Sequence, residues 1–196
     1  MRAAPVGQHT GKGVRLGPMA SGKTIERRIG MEYQHITHEF PPLYDADSKT
    51  LILGSIPSPK SREQAFYYGH PQNRFWKVLA AVLNEPVPQT IEEKKLLALS
   101  HHIALWDALE ECDILGASDS SIKNPVATDI PGLLAVTKTD RIFTTGATAF
   151  KYYMLLNYPR TGIPAVRLPS TSPANCACSF DKLVEAYRII ADEAPF

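Results

Sequence analysis

Short apolar runs and amphipathic segments alternate along this chain, and their order predicts strands that are each followed by a helix. The predicted strands cover residues 51–53, 103–107, 141–146 and 165–168. The predicted helices cover residues 75–83, a segment that begins at Ile91, residues 147–156 and residues 180–191. This alternation is typical of an α/β protein, and it predicts a three-layer α/β/α architecture around a mainly parallel, four-stranded sheet.

The rest of the chain divides into a tail and connecting segments. Residues 1–30 are rich in glycine and basic residues and show no sustained periodicity, so we expect them to form a disordered tail. The folded part is predicted to begin near His38, within a single domain that spans residues 31–196. Residues 116–131 are polar and are predicted to form a loop.

Charge is unevenly distributed between the tail and the domain. Residues 1–30 hold six of the 21 Lys and Arg residues and one of the 20 Asp and Glu residues, which leaves a net charge of −4 for residues 31–196. A domain with a net negative charge does not offer an extended basic surface to the phosphate backbone of a nucleic acid. Any contact with phosphates must therefore be local. We therefore expect weak nonspecific affinity for DNA that falls only gently with salt.

The amino-acid composition bears on membrane insertion, disulfide bonds and metal binding. No apolar run approaches the roughly 20 residues that a membrane-spanning helix needs. The three cysteines, Cys112, Cys176 and Cys178, include no CxxC pair and are interpreted as reduced thiols of a cytoplasmic protein. We expect neither a metal ion nor a cofactor, no membrane association, and a monomer.

The tail contains a motif of its own. Residues 17–24, GPMASGKT, match the pattern GxxxxGK[ST] of a phosphate-binding loop. The residues before them are too few and too polar for the central strand that such a loop follows, so a chance match is favoured over a nucleotide-binding site. The basic tail also resembles an organellar transit peptide, and a true start at Met31 is a third interpretation.

Small or polar residues follow three of the predicted strands. Gly54 and Ser55 end the first strand, Asp107 ends the second, and Pro169 follows the fourth. In a parallel sheet these strand ends meet at one edge, where ligands bind, and glycine lets a ligand approach the backbone closely. Asp107 is either a helix cap or a catalytic carboxylate, and the structural role is favoured.

Three further segments carry candidate chemistry. Asn73 precedes an apolar helix, so it is either a helix N-cap or an amide that orients a water molecule, and taken alone it fits the cap better. Tyr67 and Tyr68 are either core residues or a platform on which a base stacks. The loop of residues 169–175, PSTSPAN, combines prolines with small hydroxyl side chains, which suit either a rigid turn or a grip on a phosphate backbone.

The order of these segments resembles the uracil-DNA glycosylase superfamily, and most closely its hypoxanthine-DNA glycosylase branch. The resemblance covers residues 38–190 and rests on five segments: LILGSIPS (51–58), YYGHPQNRFW (67–76), IALWD (103–107), IFTTGATA (142–149) and LPSTSPAN (168–175). It implies a uracil-DNA glycosylase-like fold and base excision, in which a nucleotide is flipped out of the duplex and water replaces its base at the sugar C1′. The implied partner is double-stranded DNA that contains a deaminated base.

The resemblance also implies roles for particular residues. Asn73 matches an asparagine that positions water in the hypoxanthine branch, and it is therefore the predicted catalytic residue. Gly54 and Ser55, with Tyr67 and Tyr68, are predicted to bind the base. The residues predicted to contact DNA are Ser58, Ser170, Thr171, Ser172 and Asn175.

Two positions depart from the pattern of related branches. Ile56 stands before the proline where other branches have an Asp or Asn, and an isoleucine cannot position water. The loop of residues 168–175 replaces a histidine-containing loop of some relatives, so no histidine there stabilises the departing base. His70 is close to Asn73 in sequence, but its role stays open.

The expected function is that of a monofunctional DNA glycosylase of base excision repair that removes hypoxanthine, with uracil as a further candidate substrate. No lysine stands out as a Schiff-base nucleophile, so no strand-cleaving step is expected. A uracil or mismatched-thymine glycosylase is the nearest alternative. Ile56 keeps open a catalytically silent DNA-binding module, and the tail motif keeps open a nucleotide binder.

Overall fold

The computed structural model describes residues 32–191, which form two β-sheets and the helices that pack against them. The strands are β1 (Tyr33–Thr37), β2 (Thr50–Gly54), β3 (Ile103–Asp107), β4 (Leu109–Leu115), β5 (Lys123–Ala127), β6 (Arg141–Thr145) and β7 (Ala165–Leu168). The α-helices are α1 (Pro59–Gln64), α2 (Phe75–Leu83), α3 (Ile91–Ser100), α4 (Ile130–Leu134), α5 (Ala147–Tyr152), α6 (Tyr158–Thr161) and α7 (Phe180–Tyr187).

The larger sheet has four strands in the order β3-β2-β6-β7, and all of its pairs are parallel. Its central strand β2 is buried along its whole length, as expected for a parallel strand covered on both faces. The predicted parallel sheet of an α/β protein is thereby confirmed. Because all four strands run in one direction, their carboxyl ends share one edge.

Each face of this sheet has its own hydrophobic core. Ile52 of β2 packs into a cluster with α2, α3 and α7. Its neighbours Leu51 and Leu53 point the other way, into a cluster that includes α4, α5 and β4. The alternation of side chains along one strand therefore builds both outer layers against the sheet.

A second, three-stranded antiparallel sheet has the order β1-β4-β5 and was not predicted. The expected loop at residues 116–131 is wrong, because this stretch holds β5, a 3₁₀ turn at Asp119–Ser121 and α4. Strand β5 is an edge strand that contains Pro125 and has no buried side chain, so it lacks the apolar alternation that marks a strand. Regular structure also begins earlier than His38, at Tyr33.

The helices follow their predicted positions with shorter ends. Helix α2 covers the predicted residues, and α3 begins with a capping box in which the Thr90 side chain and Glu93 bond each other's backbone N–H groups. Helix α5 passes into a π-helical turn at Tyr153–Asn157, and α7 ends at Tyr187, followed by a 3₁₀ turn. No helix within residues 32–191 has both the length and the apolarity needed to cross a bilayer.

Candidate active site

A cleft of about 820 Å³ opens at the carboxyl edge of the parallel sheet. This volume lies within the roughly 300–1,000 Å³ of pockets that hold small molecules. The ends of β2, β3 and β6 contribute Gly54, Asp107 and Thr145 to its wall. All ten predicted site residues line it: Gly54, Ser55, Ser58, Tyr67, Tyr68, Asn73, Ser170, Thr171, Ser172 and Asn175.

Gly54 is required by the close approach of a carboxylate. It pairs with Asp107 across β2 and β3, and a Cβ atom at position 54 would overlap Asp107 Oδ1. The hydroxyl oxygen of Tyr68 lies 3.8 Å from the same Cβ position. A side chain at position 54 would therefore displace the Asp107 carboxylate from the wall of the cleft.

Asp107 forms a buried pair with His38, and His38 is a site residue that the sequence reasoning missed. His38 Nε2 and Asp107 Oδ2 are 2.9 Å apart, and their side chains are 1% and 7% exposed. The histidine ring packs against Phe40 and Tyr67, with ring-centroid distances of 4.6 and 6.0 Å. The pair joins residues 69 positions apart, so no local motif could have revealed it.

The two tyrosines have different surroundings. Tyr67 is 3% exposed and donates its hydroxyl hydrogen to Pro41 O at 3.1 Å, so most of its ring belongs to the core rather than to a stacking platform. Tyr68 stacks on Phe75 at a centroid distance of 3.7 Å, and its hydroxyl is 3.3 Å from Thr145 Oγ1. Burial, with the nearby Asp107 charge, raises the pKa of both phenols, so both stay neutral.

Tyr68 also has an unusual backbone conformation. Its φ of 52° lies in the left-handed region, which a bulky side chain rarely adopts. Such strain persists only where the surrounding structure enforces it, and it is common at functional sites. Tyr68 lines the cleft while its ring still packs against the core through Phe75.

Asn73 contributes both to the helix and to the cleft. Its Oδ1 accepts the backbone N–H of Phe75 at 3.0 Å, in a turn at the start of α2. Position 74, not Asn73, is the N-cap residue of the helix. A carbonyl oxygen has two lone pairs, so Oδ1 can accept a water O–H as well as the Phe75 N–H. The structural contact and water positioning are therefore compatible.

Arg74 fixes the loop that follows β7 to the start of α2, and the sequence analysis assigned it no role. Its guanidinium donates to four backbone carbonyls of one loop, those of Thr171, Ser172, Asn175 and Cys178. Its own N–H also donates to Thr171 O at 3.1 Å. The side chain therefore faces inward and holds the loop in place.

The loop of residues 169–175 is held by its own side chains. Ser170 Oγ accepts the N–H of Ser172 at 3.2 Å, and Asn175 Nδ2 donates to Ser170 O at 2.8 Å. Thr171 lines the cleft but is only 1% exposed, and its contact with DNA stays a prediction. Ser58 caps α1, where its Oγ accepts the Ser61 N–H at 3.2 Å.

A second carboxylate, Asp119, lies in the cleft wall and was also missed. Ser55 Oγ donates to Asp119 Oδ2 at 2.8 Å, so the side chain of this predicted base-binding residue already has an acceptor. The residue is exposed as a whole, but partial desolvation of its carboxyl and the negative charge of Asp107 raise the pKa of Asp119, against the lowering effect of Ser55. The residue lies on the β4–β5 connection, which the sequence presented only as a polar stretch.

The structure also places Ile56 and His70, the two residues whose roles the sequence left open. Ile56 lines it and is 8% exposed, packed into the core. His70, whose ring the sequence could not place, also lines it, and its Nδ1 accepts the Gln72 N–H at 3.1 Å. No group of His, Cys, Asp and Glu within residues 32–191 could hold a metal ion. The tail and its GPMASGKT motif lie outside the described residues.

Fold and cleft together define an α/β protein with a small-molecule-sized site at the carboxyl edge of its sheet. A family model described as "Uracil DNA glycosylase superfamily" matches residues 41–190, and the chain belongs to this superfamily. The resemblance read from the sequence is confirmed, and with it the enzyme class, a hydrolase of the DNA N-glycosylase type.

Individual relatives agree with this assignment. The chain is 37% identical over 142 residues to the "Hypoxanthine DNA glycosylase" of Methanosarcina acetivorans, a match that covers 71% of this chain and 89% of the relative. It is also 37% identical over 86 residues to the protein of the same name from Methanosarcina barkeri, covering 43% and 54% of the two chains. A solution NMR structure of a candidate uracil DNA glycosylase from M. acetivorans superposes with a TM-score of 0.66 at 30% identity, covering 78% of this chain and 97% of that one.

Proposed function

We propose that this protein is a monofunctional DNA glycosylase that removes hypoxanthine from DNA. The observation that carries the proposal is the meeting of Asn73, Tyr68 and the Gly54–Asp107 strand ends in one base-sized cleft. The names of the two Methanosarcina relatives support hypoxanthine as the first substrate. Uracil is the second candidate, because the similar NMR structure carries that description.

In the proposed reaction the flipped nucleotide enters the cleft, and the C1′–N9 bond of deoxyinosine breaks with its electron pair leaving on the base. Water forms the new C1′–O bond and loses its proton to solvent, and the departing base takes up a proton from solvent, which leaves a neutral free base and an abasic sugar. The transition state resembles an oxocarbenium ion, so water needs positioning more than deprotonation. An amide such as Asn73 can supply that positioning.

The rigid loop of residues 169–175 is proposed to hold the DNA backbone beside the cleft. Ser170, Ser172 and Asn175 line the cleft and are partly exposed, whereas Thr171 is buried. Small side chains fixed by Arg74 present a preformed surface, which lowers the ordering cost of binding. The net charge of −4 for residues 31–196 agrees with a local grip of this kind.

The test uses labelled duplexes that carry one hypoxanthine, uracil or mismatched thymine, with alkali to reveal abasic sites. Asn73→Ala is expected to lower release of hypoxanthine by about 100-fold or more, since a misplaced nucleophile costs about this much. Gln72→Ala is the matched control, because it removes an exposed amide side chain one position away that does not line the cleft.

The same assay without alkali tests the monofunctional assignment. Lys60 lines the cleft, but its Nζ is 2.7 Å from Glu63 Oε2 and its side chain is half exposed, so it lacks the desolvated setting of a Schiff-base lysine. We expect no strand cleavage before alkali. Release of none of the three bases by the folded wild type would contradict the proposed function.

A further inference from the structure

His70 and Asn73 are the two ends of one tight turn in the wall of the cleft. The Asn73 N–H donates to His70 O at 2.8 Å, with Pro71 and Gln72 at the centre of the turn. Such a turn favours proline at its second position and brings its ends within about 7 Å of each other. His70 and Asn73 both line the cleft, whereas the two central residues are exposed and do not. The turn therefore presents two side chains to the same site.

A hydrogen bond within the turn determines which ring nitrogen of His70 carries the proton. Nδ1 accepts the Gln72 N–H at 3.1 Å, so it is the acceptor nitrogen of the ring. A neutral imidazole has one acceptor and one donor nitrogen, which places the hydrogen on Nε2. No second hydrogen-bond or ion-pair partner of this ring occurs within residues 32–191. The Nε2–H is therefore a donor available to a ligand in the cleft.

The turn alone does not require a histidine. An asparagine or aspartate side chain accepts a backbone N–H two residues further on in the same way. The imidazole adds a second nitrogen beyond the one that the turn uses. Among the described residues that line the cleft, Lys60 is the other basic side chain, and its Nζ is 2.7 Å from Glu63 Oε2. His70 thus offers the cleft a basic side chain whose donor is not already engaged.

The position of His70 beside Asn73 indicates which part of a nucleotide this donor meets. Water that replaces a base at C1′ approaches the sugar face opposite to the departing base, because the breaking bond occupies the other face. If Asn73 positions this water, it lies on the face away from the base, and His70 lies there with it. On that side the nucleotide offers its sugar and its flanking phosphates. Phosphate oxygens are negatively charged and only accept hydrogen bonds, so they match an N–H donor.

We propose that His70 Nε2–H donates a hydrogen bond to a phosphate oxygen next to the flipped nucleotide. The contact fixes the sugar relative to the water that Asn73 positions, and exact placement of this kind has a large effect on rate. This inference rests on the proposed glycosylase function and adds a substrate-binding residue outside the base pocket. A single local contact also suits a domain with a net charge of −4, which has no extended basic surface to offer.

The test measures single-turnover release of hypoxanthine from three duplexes. One is unmodified, and the others carry a neutral methylphosphonate in place of the phosphate on the 5′ or on the 3′ side of the hypoxanthine nucleotide. The wild type is expected to be about tenfold slower on one of the two modified duplexes, the loss expected for one hydrogen bond to a charged group.

His70→Asn keeps an acceptor for the Gln72 N–H but is too short to reach the phosphate. It should release hypoxanthine from the unmodified duplex about tenfold more slowly than the wild type. On the methylphosphonate duplex that slows the wild type, it should lose nothing further, because both changes remove the same contact. Non-additivity of this kind is the signature of a direct interaction.

His101→Asn is the matched control. His101 is also partly buried and its Nε2 is 3.1 Å from Glu85 Oε1, but it lies outside the cleft. This variant is expected to keep both the wild-type rate and the wild-type sensitivity to methylphosphonate.

The outcomes separate this inference from the function on which it rests. The phosphate contact is overturned if the wild type is indifferent to both methylphosphonates, a measurement that needs no variant. It is also overturned if folded His70→Asn keeps the full sensitivity of the wild type, whatever its rate on the unmodified duplex. In both cases the glycosylase stands. Failure of the wild type to release any deaminated base from unmodified DNA would instead overturn the proposed function.

Discussion

Two histidines three positions apart near the start of the domain each meet an aspartate, and their surroundings differ sharply. His35 in β1 lies 3.0 Å from Asp113, and His38 just after β1 lies 2.9 Å from Asp107. The side chains of the first pair are 60% and 28% exposed, and those of the second are 1% and 7% exposed. The distances are nearly equal, so distance alone does not distinguish the two pairs.

Burial gives the two pairs different consequences. The charged groups of an exposed pair are hydrated in both the folded and the unfolded chain, so their pairing contributes little to the free energy of unfolding. A buried pair cannot lose one partner without leaving the other uncompensated. Only the buried pair stands at a strand end in the cleft wall, where its polarity can act on a ligand. Location, rather than residue type, therefore separates the pair in the cleft wall from the surface pair.

The largest expected effect comes from breaking the buried pair. His38→Ala should lower the free energy of unfolding by about 3 kcal/mol, because it leaves Asp107 buried without its partner. His35→Ala, its exposed counterpart, should leave stability within the error of the measurement. Thermal and urea unfolding of the two variants checks the contrast. Equal losses in both would show that burial does not separate these pairs.

Arg74 extends the comparison to a half-buried cation that donates to backbone carbonyls instead of to a carboxylate. Arg74→Met should lower stability by about 2 kcal/mol, because the loop carbonyls lose their donors. It should also slow hypoxanthine release by about tenfold or more, since the loop beside Asn73 loses its fixed position. Unfolding curves and single-turnover rates measure the two effects.

The matched control for this variant is Arg188→Met. Arg188 pairs with Glu185 at 2.8 Å on the surface, and both side chains are about two-thirds exposed. Neither unfolding nor base release should change. A wild-type rate in a folded Arg74→Met protein would show that the loop keeps its position without the guanidinium.

The sequence revealed the parallel sheet and the residues that line the cleft more readily than the contacts that organise them. Strands 103–107 and 165–168 were predicted to the residue, because buried parallel strands are continuous apolar runs bounded by small or polar residues. The rule that parallel strands end at one edge indicated Gly54, Asp107 and the loop after Pro169, whereas Tyr67, Tyr68 and Asn73 were assigned to the site through the resemblance to the superfamily.

The antiparallel sheet and the polar pairs were missed for a different reason. Edge strand β5 owes its structure to pairing with β4, and its own side chains show no period. His38–Asp107 and Ser55–Asp119 join residues 69 and 64 positions apart. Such contacts depend on the assembled fold, and no spacing rule along the chain encodes them.

Asp119 gives the smallest expected effect and tests whether the buried charge of Asp107 reaches its neighbours. Partial desolvation of its carboxyl and the Asp107 charge raise the pKa of Asp119 in the folded protein above the value of the unfolded chain. The folded state then binds a proton more readily, so this group's contribution to stability falls as pH rises from the unfolded toward the folded pKa.

The wild type should therefore gain stability relative to Asp119→Asn as pH falls through that window. The difference in melting temperature between the two proteins, followed from neutral pH to about pH 4, measures this gain. In a background that carries Asp107→Asn the slope should become shallower, because one cause of the raised pKa has been removed. An unchanged slope in that background would mean that the Asp107 charge does not raise the Asp119 pKa. The negative charge of Asp107 would then not act across the cleft on the Asp119 carboxyl, which accepts the Ser55 hydroxyl.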